Sequence, residues 1–183
     1  MTDHGAAGAT GAVGDHTGLK PFLLRQFGRL PMSLRHFIVG RTSPAYRVGT
    51  IAVITTDDGR VLLARHSYRH GWGLPGGMLG WNEEPLETIH REVEEELGLK
   101  VVVGGPDVVE HRRKPRRIEW YFDLRLAEGM TPEDAVANSP EIEEVGWFAV
   151  DDLPELEKFG DVTSLVVPQI FARRFPERFG ISN

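Results

Sequence analysis

Several features that define other classes of protein are missing from this sequence. It contains no cysteine, which excludes disulfides, thiolate metal centres and cysteine nucleophiles. No apolar run is long enough to span a bilayer, and no basic residue precedes Lys20 to form the charged region of a signal peptide. The net charge of −6 argues against general nucleic-acid binding by bulk charge. We therefore expect a cytoplasmic protein without a transmembrane segment.

Acidic residues are also absent from one long stretch, between His16 and Thr56. Residues 1–18, rich in Gly, Ala and Thr, predict a flexible tail. Residues 19–45 predict a basic helical arm with large apolar residues at near-helical spacing. Two short helices packed on the domain or on a second subunit are the expected arrangement. The alternative is that residues 19–47 dock on a membrane surface or a partner protein.

The pattern changes at residue 46 to that of a mixed domain of strands and helices, which extends to residue 183. Asp57–Gly59 predicts a hairpin turn between the first two strands. Asp151 predicts the start of a short helix, and Pro168 is expected in the first turn of a terminal helix. The predicted strands and terminal helix span Val48–Thr56, Arg60–Arg65, Lys100–Val103, Val108–Arg113, Ile118–Leu126, Glu144–Val150 and Ser164–Phe175.

A glutamate-rich helix is predicted from Pro85 onward, with Asn82 as its cap and Gly98 as its stop. Apolar residues recur in it at spacings of three and four. They predict a single buried stripe, which comprises Leu86, Ile89, Val93 and Leu97.

The glutamates of this helix are unusually placed. Glu92, Glu95 and Glu96 stand at i, i+3 and i+4, so their side chains share one face and repel each other. A solvated acidic face is the simplest interpretation. A hard cation such as Mg²⁺ would relieve the repulsion, because it prefers carboxylate oxygens together with substrate phosphates. Just upstream, residues 71–80 contain five glycines, and such a loop lets the backbone approach a ligand or metal closely.

Together these two segments resemble the Nudix box, the 23-residue signature of Nudix hydrolases. The residues that match its fixed positions are Gly77, Glu83, Arg91, Glu92, Val93, Glu95, Glu96, Gly98 and Leu99. Trp72–Gly77 is similar to the usual approach to that box. The resemblance covers about residues 46–160. It implies an α/β/α sandwich with a mixed β-sheet, here preceded by a helical N-terminal extension.

The resemblance also implies a metal-dependent hydrolase of phosphoanhydride bonds. Its cofactor would be Mg²⁺ or Mn²⁺, held principally by Glu92 and Glu96. Glu95 and the carbonyl of Gly76 would be further ligands.

Three other positions are candidates for a catalytic role. The resemblance implies that Arg91 pairs with a glutamate of the box and orients it, although a plain surface ion pair is the simpler role. Glu83 would support the loop or a metal-bound water, or act only as a helix N-terminal charge. A carboxylate outside the box often serves as base or extra ligand. Glu141 is the preferred candidate, ahead of Glu143 and Glu144.

Substrate recognition is less clearly specified by the sequence. Arg65 and His66 end a strand close to the glycine loop. Tyr68 and Trp81 offer an aromatic ring on which a base could stack. The remainder belong to the basic cluster at residues 111–117, which is either a polyphosphate-binding site or a solvated hairpin tip. The candidate substrate-binding residues are Arg65, His66, Tyr68, Trp81, Arg116 and Arg117.

The favoured activity is hydrolysis of a nucleoside diphosphate linked to another group, as in ADP-ribose or a nucleotide sugar, to give a nucleoside monophosphate. Nucleoside triphosphate pyrophosphohydrolysis and RNA 5′-pyrophosphohydrolysis are the alternatives within this class. A Nudix-fold domain that senses nucleotides without turnover could dispense with the carboxylates, which this chain retains. The expected partner is a nucleotide-containing diphosphate, and a homodimer is compatible with the sequence.

Overall fold

The structure is a computed structural model that describes residues 19–105, 107–157 and 161–176. Backbone contacts divide the chain into two units, with the boundary between Ala45 and Tyr46. The predicted flexible tail at residues 1–18 lies outside the described residues.

The N-terminal unit contains two helices, α1 at Leu19–Arg29 and α2 at Met32–Thr42. Pro31 separates them, and its carbonyl accepts hydrogen bonds from the N–H groups of Leu34 and Arg35 in α2. Pro31 occupies the N-cap position of α2, and Ser33 lies inside the helix. Neither helix contains a buried residue.

The second unit is built on a mixed five-stranded sheet with the order β3-β1-β6-β4, in which β5 also pairs with β6. The long central strands β1 and β6 run parallel, and the other pairs are antiparallel. Its strands are β1 at Arg47–Ile54, β3 at Gly76–Met78, β4 at Val101–Val103, β5 at Val108–Arg113 and β6 at Arg116–Leu126.

The predicted hairpin between the first two strands is confirmed at its turn but not as an extended pairing of the two strands. The chain does turn at Asp57–Gly59, but only Thr55 and Val61 form a bridge across that turn. Strand β2, at Arg60–His66, instead pairs with β7, at Ile142–Ala149, in a separate two-stranded sheet. Both edges of β1 are already occupied by β3 and β6, so β2 has no free edge to join. Local alternation specifies a strand but not its partner.

Helices cover the two faces of the main sheet. Helix α3, at Pro85–Leu97, buries Ile89, Val93 and Leu97 in one cluster, together with alternate residues of β1 and β6. Helix α4, at Asp161–Arg174, buries Val166, Val167, Ile170 and Phe171 in a second cluster against the other face. Alternate residues of one strand point to opposite faces, which is why β1 contributes to both clusters. This is the predicted α/β/α sandwich.

Three local expectations were wrong. Leu86, assigned to the buried stripe, is 41% exposed, because it lies in the first turn of α3 beyond the edge of the cluster. Pro168 lies inside α4 rather than in its first turn, since the helix begins at Asp161. Asp151 begins a turn rather than a helix.

Candidate metal and pyrophosphate site

The glycine loop is held against the sheet by pairing of its end with β1. Gly76 and Gly77 lie opposite Ile51 and Thr50 in the antiparallel ladder. Gly76 has a φ of +143°, and a Cβ there would lie 2.2 Å from the carbonyl oxygen of Thr50. Only glycine fits such a close approach of two backbones. The loop is therefore fixed in place beside α3, next to Glu92 and Glu96.

The carboxylate of Glu92 lies in the space that a side chain at Gly77 would occupy. A Cβ at Gly77 would be 2.2 Å from Oε1 of Glu92. One turn further along α3, Oε2 of Glu96 accepts a hydrogen bond of 3.2 Å from the N–H of Gly76. Both carboxylates thus lie against the same short segment of backbone, Glu92 at Gly77 and Glu96 at Gly76.

Burial disfavours the charged form of both carboxylates. Burial, together with the charges of Glu92 and Glu141, raises the pKa of Glu96 to about 7, against the opposing effect of the Gly76 N–H. Burial likewise raises the pKa of Glu92, and Arg91 offsets part of that shift. Glu96 is only 6% exposed. Buried carboxylates that repel each other are stabilised by a cation.

Arg91 and Glu83 form an ion pair near the N-terminus of α3, with further hydrogen bonds to Glu83. The guanidinium of Arg91 binds both oxygens of Glu83, at 2.9 and 3.0 Å. Glu83 also accepts hydrogen bonds from the hydroxyl of Thr88 and the N–H of Gly80. Hydrogen bonds from Arg91 and Thr88 lower the pKa of Glu83 to about 2. Glu83 therefore ties the end of the glycine loop to the helix.

Asn82, predicted as the cap of α3, does not cap it. Asn82 adopts the left-handed conformation, with a φ of +62°, and belongs to the preceding turn. Glu84 occupies the N-cap position, where its N–H donates to the side chain of Glu87. Gly98 ends the helix with a φ of +68°, as predicted.

Glu95 is placed differently from the other two glutamates of its face. Its side chain is 60% exposed and pairs with Arg91 at 3.0 Å. The same guanidinium lies 3.0 Å from Glu92, so Arg91 connects Glu95 to the buried carboxylates. An open hollow of about 570 Å³ adjoins this outer side of α3. It is lined by His90, Arg91, Glu94, Glu95 and Asn138.

The donor set fits a divalent cation of the magnesium type. Among the residues that the structure describes, no three His, Asp or Glu side chains form a group that could hold a metal ion by themselves. Mg²⁺ does not need one, because proteins usually hold it by one or two carboxylates plus substrate phosphates. Glu92 and Glu96, beside backbone without side chains, offer that combination. The residues that could hold the ion are these two, with Gly76 and Glu95 next to them.

Of the three candidate carboxylates outside the box, Glu141 acts by its charge on Glu92 and Glu96. Glu143 and Glu144 both pair with Arg65, at 3.4 and 3.0 Å. The charge of Glu141, in contrast, raises the pKa values of Glu92 and Glu96. Its backbone carbonyl accepts a hydrogen bond of 2.8 Å from Ser67, which fixes the loop that carries it.

Two of the predicted substrate-binding residues at the end of β2 are engaged within the protein. Arg65 makes the ion pairs with Glu143 and Glu144, and its guanidinium lies 6.0 Å from the ring centre of Trp72. His66 is 2% exposed, and burial lowers its pKa to about 4. Its Nδ1 is buried without a hydrogen-bond partner among the described residues. His66 therefore packs as a neutral side chain.

The other four candidates remain at the surface. Tyr68 is 59% exposed and Trp81 is 98% exposed, so both rings are available for stacking. Arg116 is exposed near the tip of the β5–β6 hairpin. Arg117 bonds the buried carboxylate of Glu119 at 3.0 Å and lies 3.6 Å from the sulfur of Met78, which follows Gly77. Of the basic cluster, Arg117 is thus brought next to the glycine loop.

Arg69 is a site residue that the sequence analysis missed. Its Nη1 bonds both oxygens of Glu157, at 3.0 and 3.1 Å, and its guanidinium lies 5.2 Å from the ring centre of Tyr68. Its charge lowers the pKa of Glu96, against the larger effect of burial. The available signal was its position, two residues before the glycine loop. Its partner Glu157 lies 88 residues away and could not be inferred.

The chain is also similar to known proteins. A family model described as the NUDIX domain matches residues 45–168, which leaves α1 and α2 outside it. An RNA pyrophosphohydrolase from Halorhodospira halophila is 38% identical over 80 residues, covering 42% of this chain and 44% of that protein. An RNA pyrophosphohydrolase from Acidiphilium cryptum is 30% identical over 141 residues, covering 65% of this chain and 85% of that protein. The chain thus spans less than half the length of the first relative.

A solved structure is also similar. The crystal structure of an ADP-ribose pyrophosphatase from Streptococcus suis superimposes with a TM-score of 0.52 and 30% identity. The match covers 61% of this chain and 80% of that chain.

Proposed function

Because this chain belongs to the Nudix family, we propose that it hydrolyses a diphosphate bond in a nucleoside diphosphate linked to another group, with Mg²⁺ or Mn²⁺ as cofactor. The product would be a nucleoside monophosphate. One observation carries the proposal: the carboxylates of Glu92 and Glu96 meet at Gly76 and Gly77, where no side chain separates them from a ligand.

The chemistry requires charge neutralisation, a positioned water and a proton acceptor. A divalent cation, when held by Glu92 and Glu96, would neutralise diphosphate oxygens and lower the pKa of a nearby water. Arg91, fixed by Glu83, keeps Glu92 in place on the helix. Glu95 would add a further carboxylate from the exposed side of the helix.

Glu141 is the proposed general base. It would accept a proton from the attacking water as the new P–O bond forms and the bridging P–O bond breaks. The leaving phosphate keeps the bridging oxygen. Support comes from its influence on both buried glutamates and from the pairing of Glu143 and Glu144 with Arg65. Arg69 would bind a phosphate oxygen, because Glu157 holds it beside Glu96.

The nucleotide would lie across the exposed rings beside the loop. Tyr68 and Trp81 offer faces for a base, and stacking of this kind is sequence-tolerant. Arg116 and Arg117 would attract the remaining phosphates from the hairpin on the other side of Met78.

A second candidate substrate is the 5′-triphosphate end of RNA. Two relatives that are 38% and 30% identical to this chain are named RNA pyrophosphohydrolases. The basic hairpin would then contact the RNA backbone. A sensor without turnover is disfavoured, because the chain keeps every carboxylate of the box.

A substrate screen separates these possibilities. The purified full chain would be assayed with Mg²⁺ and with Mn²⁺ against ADP-ribose, nucleotide sugars, nucleoside triphosphates and 5′-triphosphorylated RNA. A Glu96→Gln variant and chelator-treated enzyme serve as blanks. We expect release of a nucleoside monophosphate from the first two groups. Pyrophosphate release from RNA alone would select the second candidate, and no metal-dependent release from any substrate would overturn both.

A further inference from the structure

Helices α1 and α2 expose large apolar side chains that no part of the described arm covers. Each helix has eleven residues and no buried residue. The only ring contact inside the described arm is that of Arg35, whose guanidinium lies 5.5 Å from the ring centre of Phe27. The exposed apolar residues, each at least 42% exposed, are Leu19, Phe22, Leu23, Leu24, Met32, Leu34, Phe37 and Val39.

Such a helix pair requires an additional apolar surface for stability. Isolated helices shorter than about 12–15 residues are marginal in water, and tertiary packing of one face normally stabilises them. Contiguous exposed apolar residues on a protein surface usually mark an interaction site. In α1 these residues recur at spacings of three and four, for example at Leu19, Phe22 and Leu23, so they form one face. This face is therefore expected to bind another surface.

The charge of the arm indicates which surface that is. Four basic residues are exposed on it, at Lys20, Arg25, Arg29 and Arg41, and no Asp or Glu occurs between His16 and Thr56. A basic amphipathic helix is typical of segments that lie in the interface of an anionic bilayer. There the apolar face enters the acyl boundary, and each Lys or Arg near the surface adds electrostatic attraction to the anionic headgroups.

We propose that residues 19–45 form a docking surface for a membrane that contains anionic lipids. This proposal does not depend on the catalytic function, since the NUDIX match begins at residue 45. A second copy of the arm is a poorer occupant, because two surfaces with the same basic charge repel. RNA would use the charges but would leave the Leu and Phe side chains in water. The residues that the structure describes contain no helix that could span a bilayer.

The test is sedimentation of the full chain with vesicles. One set contains phosphatidylcholine alone, and the other contains phosphatidylcholine with phosphatidylserine. We expect binding to the anionic set that weakens steeply with added salt, and little binding to the neutral set. Failure of the wild-type chain to bind anionic vesicles at low salt would overturn the proposal.

Two double variants test separately the contribution of the apolar face and that of the basic charge. Phe22→Ser with Leu23→Ser removes apolar contact, and Arg25→Glu with Arg29→Glu reverses charge. Each should weaken vesicle binding by about tenfold or more. All four side chains are exposed, so catalytic activity should stay at the wild-type level and report that the domain is folded.

A matched control reverses two charges elsewhere. Arg113→Glu with Lys114→Glu, at the exposed hairpin tip, gives the same net charge as the arm variant and should bind vesicles like the wild type. Equal losses in both charge variants would show bulk attraction instead of docking. Three further results would assign the face to another occupant and overturn the proposal. The first is a dimer of the wild type that the apolar variant dissociates. The second is RNA binding that the charge variant loses and the apolar variant keeps. The third is a lower melting temperature of the apolar variant when the wild type does not bind vesicles.

Discussion

Two glutamates of the same motif, Glu83 and Glu96, have opposite surroundings. Glu83 receives hydrogen bonds from Arg91, Thr88 and the backbone of Gly80, and its pKa falls to about 2. Glu96 is buried, has one backbone donor, faces other carboxylates, and its pKa rises to about 7. The first is satisfied within the protein and stabilises the loop. The second carries unbalanced negative charge, as expected of a residue that needs a cation from outside.

The largest effect on turnover should come from neutralising the carboxylates of Glu92 and Glu96 one at a time. Glu92→Gln and Glu96→Gln should each lower turnover by roughly a thousandfold. Stability should stay the same or rise, because an amide removes repulsion among buried carboxylates. Steady-state kinetics and thermal melting measure the two effects.

Glu94→Gln is the matched control for these variants, since Glu94 lies on the same helix and is exposed. It should retain wild-type turnover. Near-normal activity in both Glu92→Gln and Glu96→Gln would mean that the cation is held elsewhere.

The next largest effect should come from filling the space beside Glu92. Gly77→Ala places a Cβ 2.2 Å from Oε1 of Glu92, at the end of a flexible side chain that can shift at little cost. We expect about a hundredfold loss of turnover, because small misplacements of a reacting group have effects of that size. The melting temperature should hardly change. Gly49→Ala, whose Cβ would make ordinary contacts of 3.6 Å or more, should be close to wild type in both assays.

Weakening the ion pair between Arg91 and Glu83 should have a smaller effect on turnover. Arg91→Lys keeps the charge but loses the two-point contact with Glu83 and the simultaneous contacts with Glu92 and Glu95. Turnover should fall about tenfold through poorer orientation of Glu92. Arg60→Lys, in an exposed pair with Asp58, is the control and should be neutral. If Arg91→Lys were equally neutral, the pair would have no positioning role.

The smallest effect extends the comparison to a buried histidine. His66 has its pKa lowered to about 4, so the unfolded chain, with a value near 6.5, binds its proton first as the pH falls. Native stability is therefore lost as the pH drops below about 6.5. Between pH 7 and pH 5 the wild type should lose about 2 kcal/mol more free energy of unfolding than His66→Gln. Urea unfolding at both pH values checks this, and parallel losses would contradict burial of a neutral imidazole.

Local patterns specified the part of the site that lies on one helix and one loop. The face of Glu92 and Glu96 depends only on the 3.6-residue repeat, and five glycines in ten residues mark the loop whatever the rest of the chain does. The helix stop at Gly98 was likewise readable from one residue type. The sandwich architecture followed from the family resemblance.

Long-range pairing was not readable from these patterns. Strand β2 follows β1 across a short turn, as a hairpin partner would, yet it pairs with β7, about eighty residues later. Arg69 is held in place by Glu157, and Arg65, a candidate substrate-binding residue, pairs with Glu143 and Glu144. Each of these contacts depends on where distant segments meet, and a single sequence carries no direct signal for that.

The most direct test of the cation site is a calorimetric titration of Mn²⁺ into the full chain, with a nucleoside monophosphate present. The wild type and Glu94→Gln should both take up the ion in a saturable way. The double variant Glu92→Gln with Glu96→Gln should show no saturable uptake while keeping its fold. Equal uptake by the double variant, or none by the wild type, would contradict the claim that these two carboxylates exist to hold a cation.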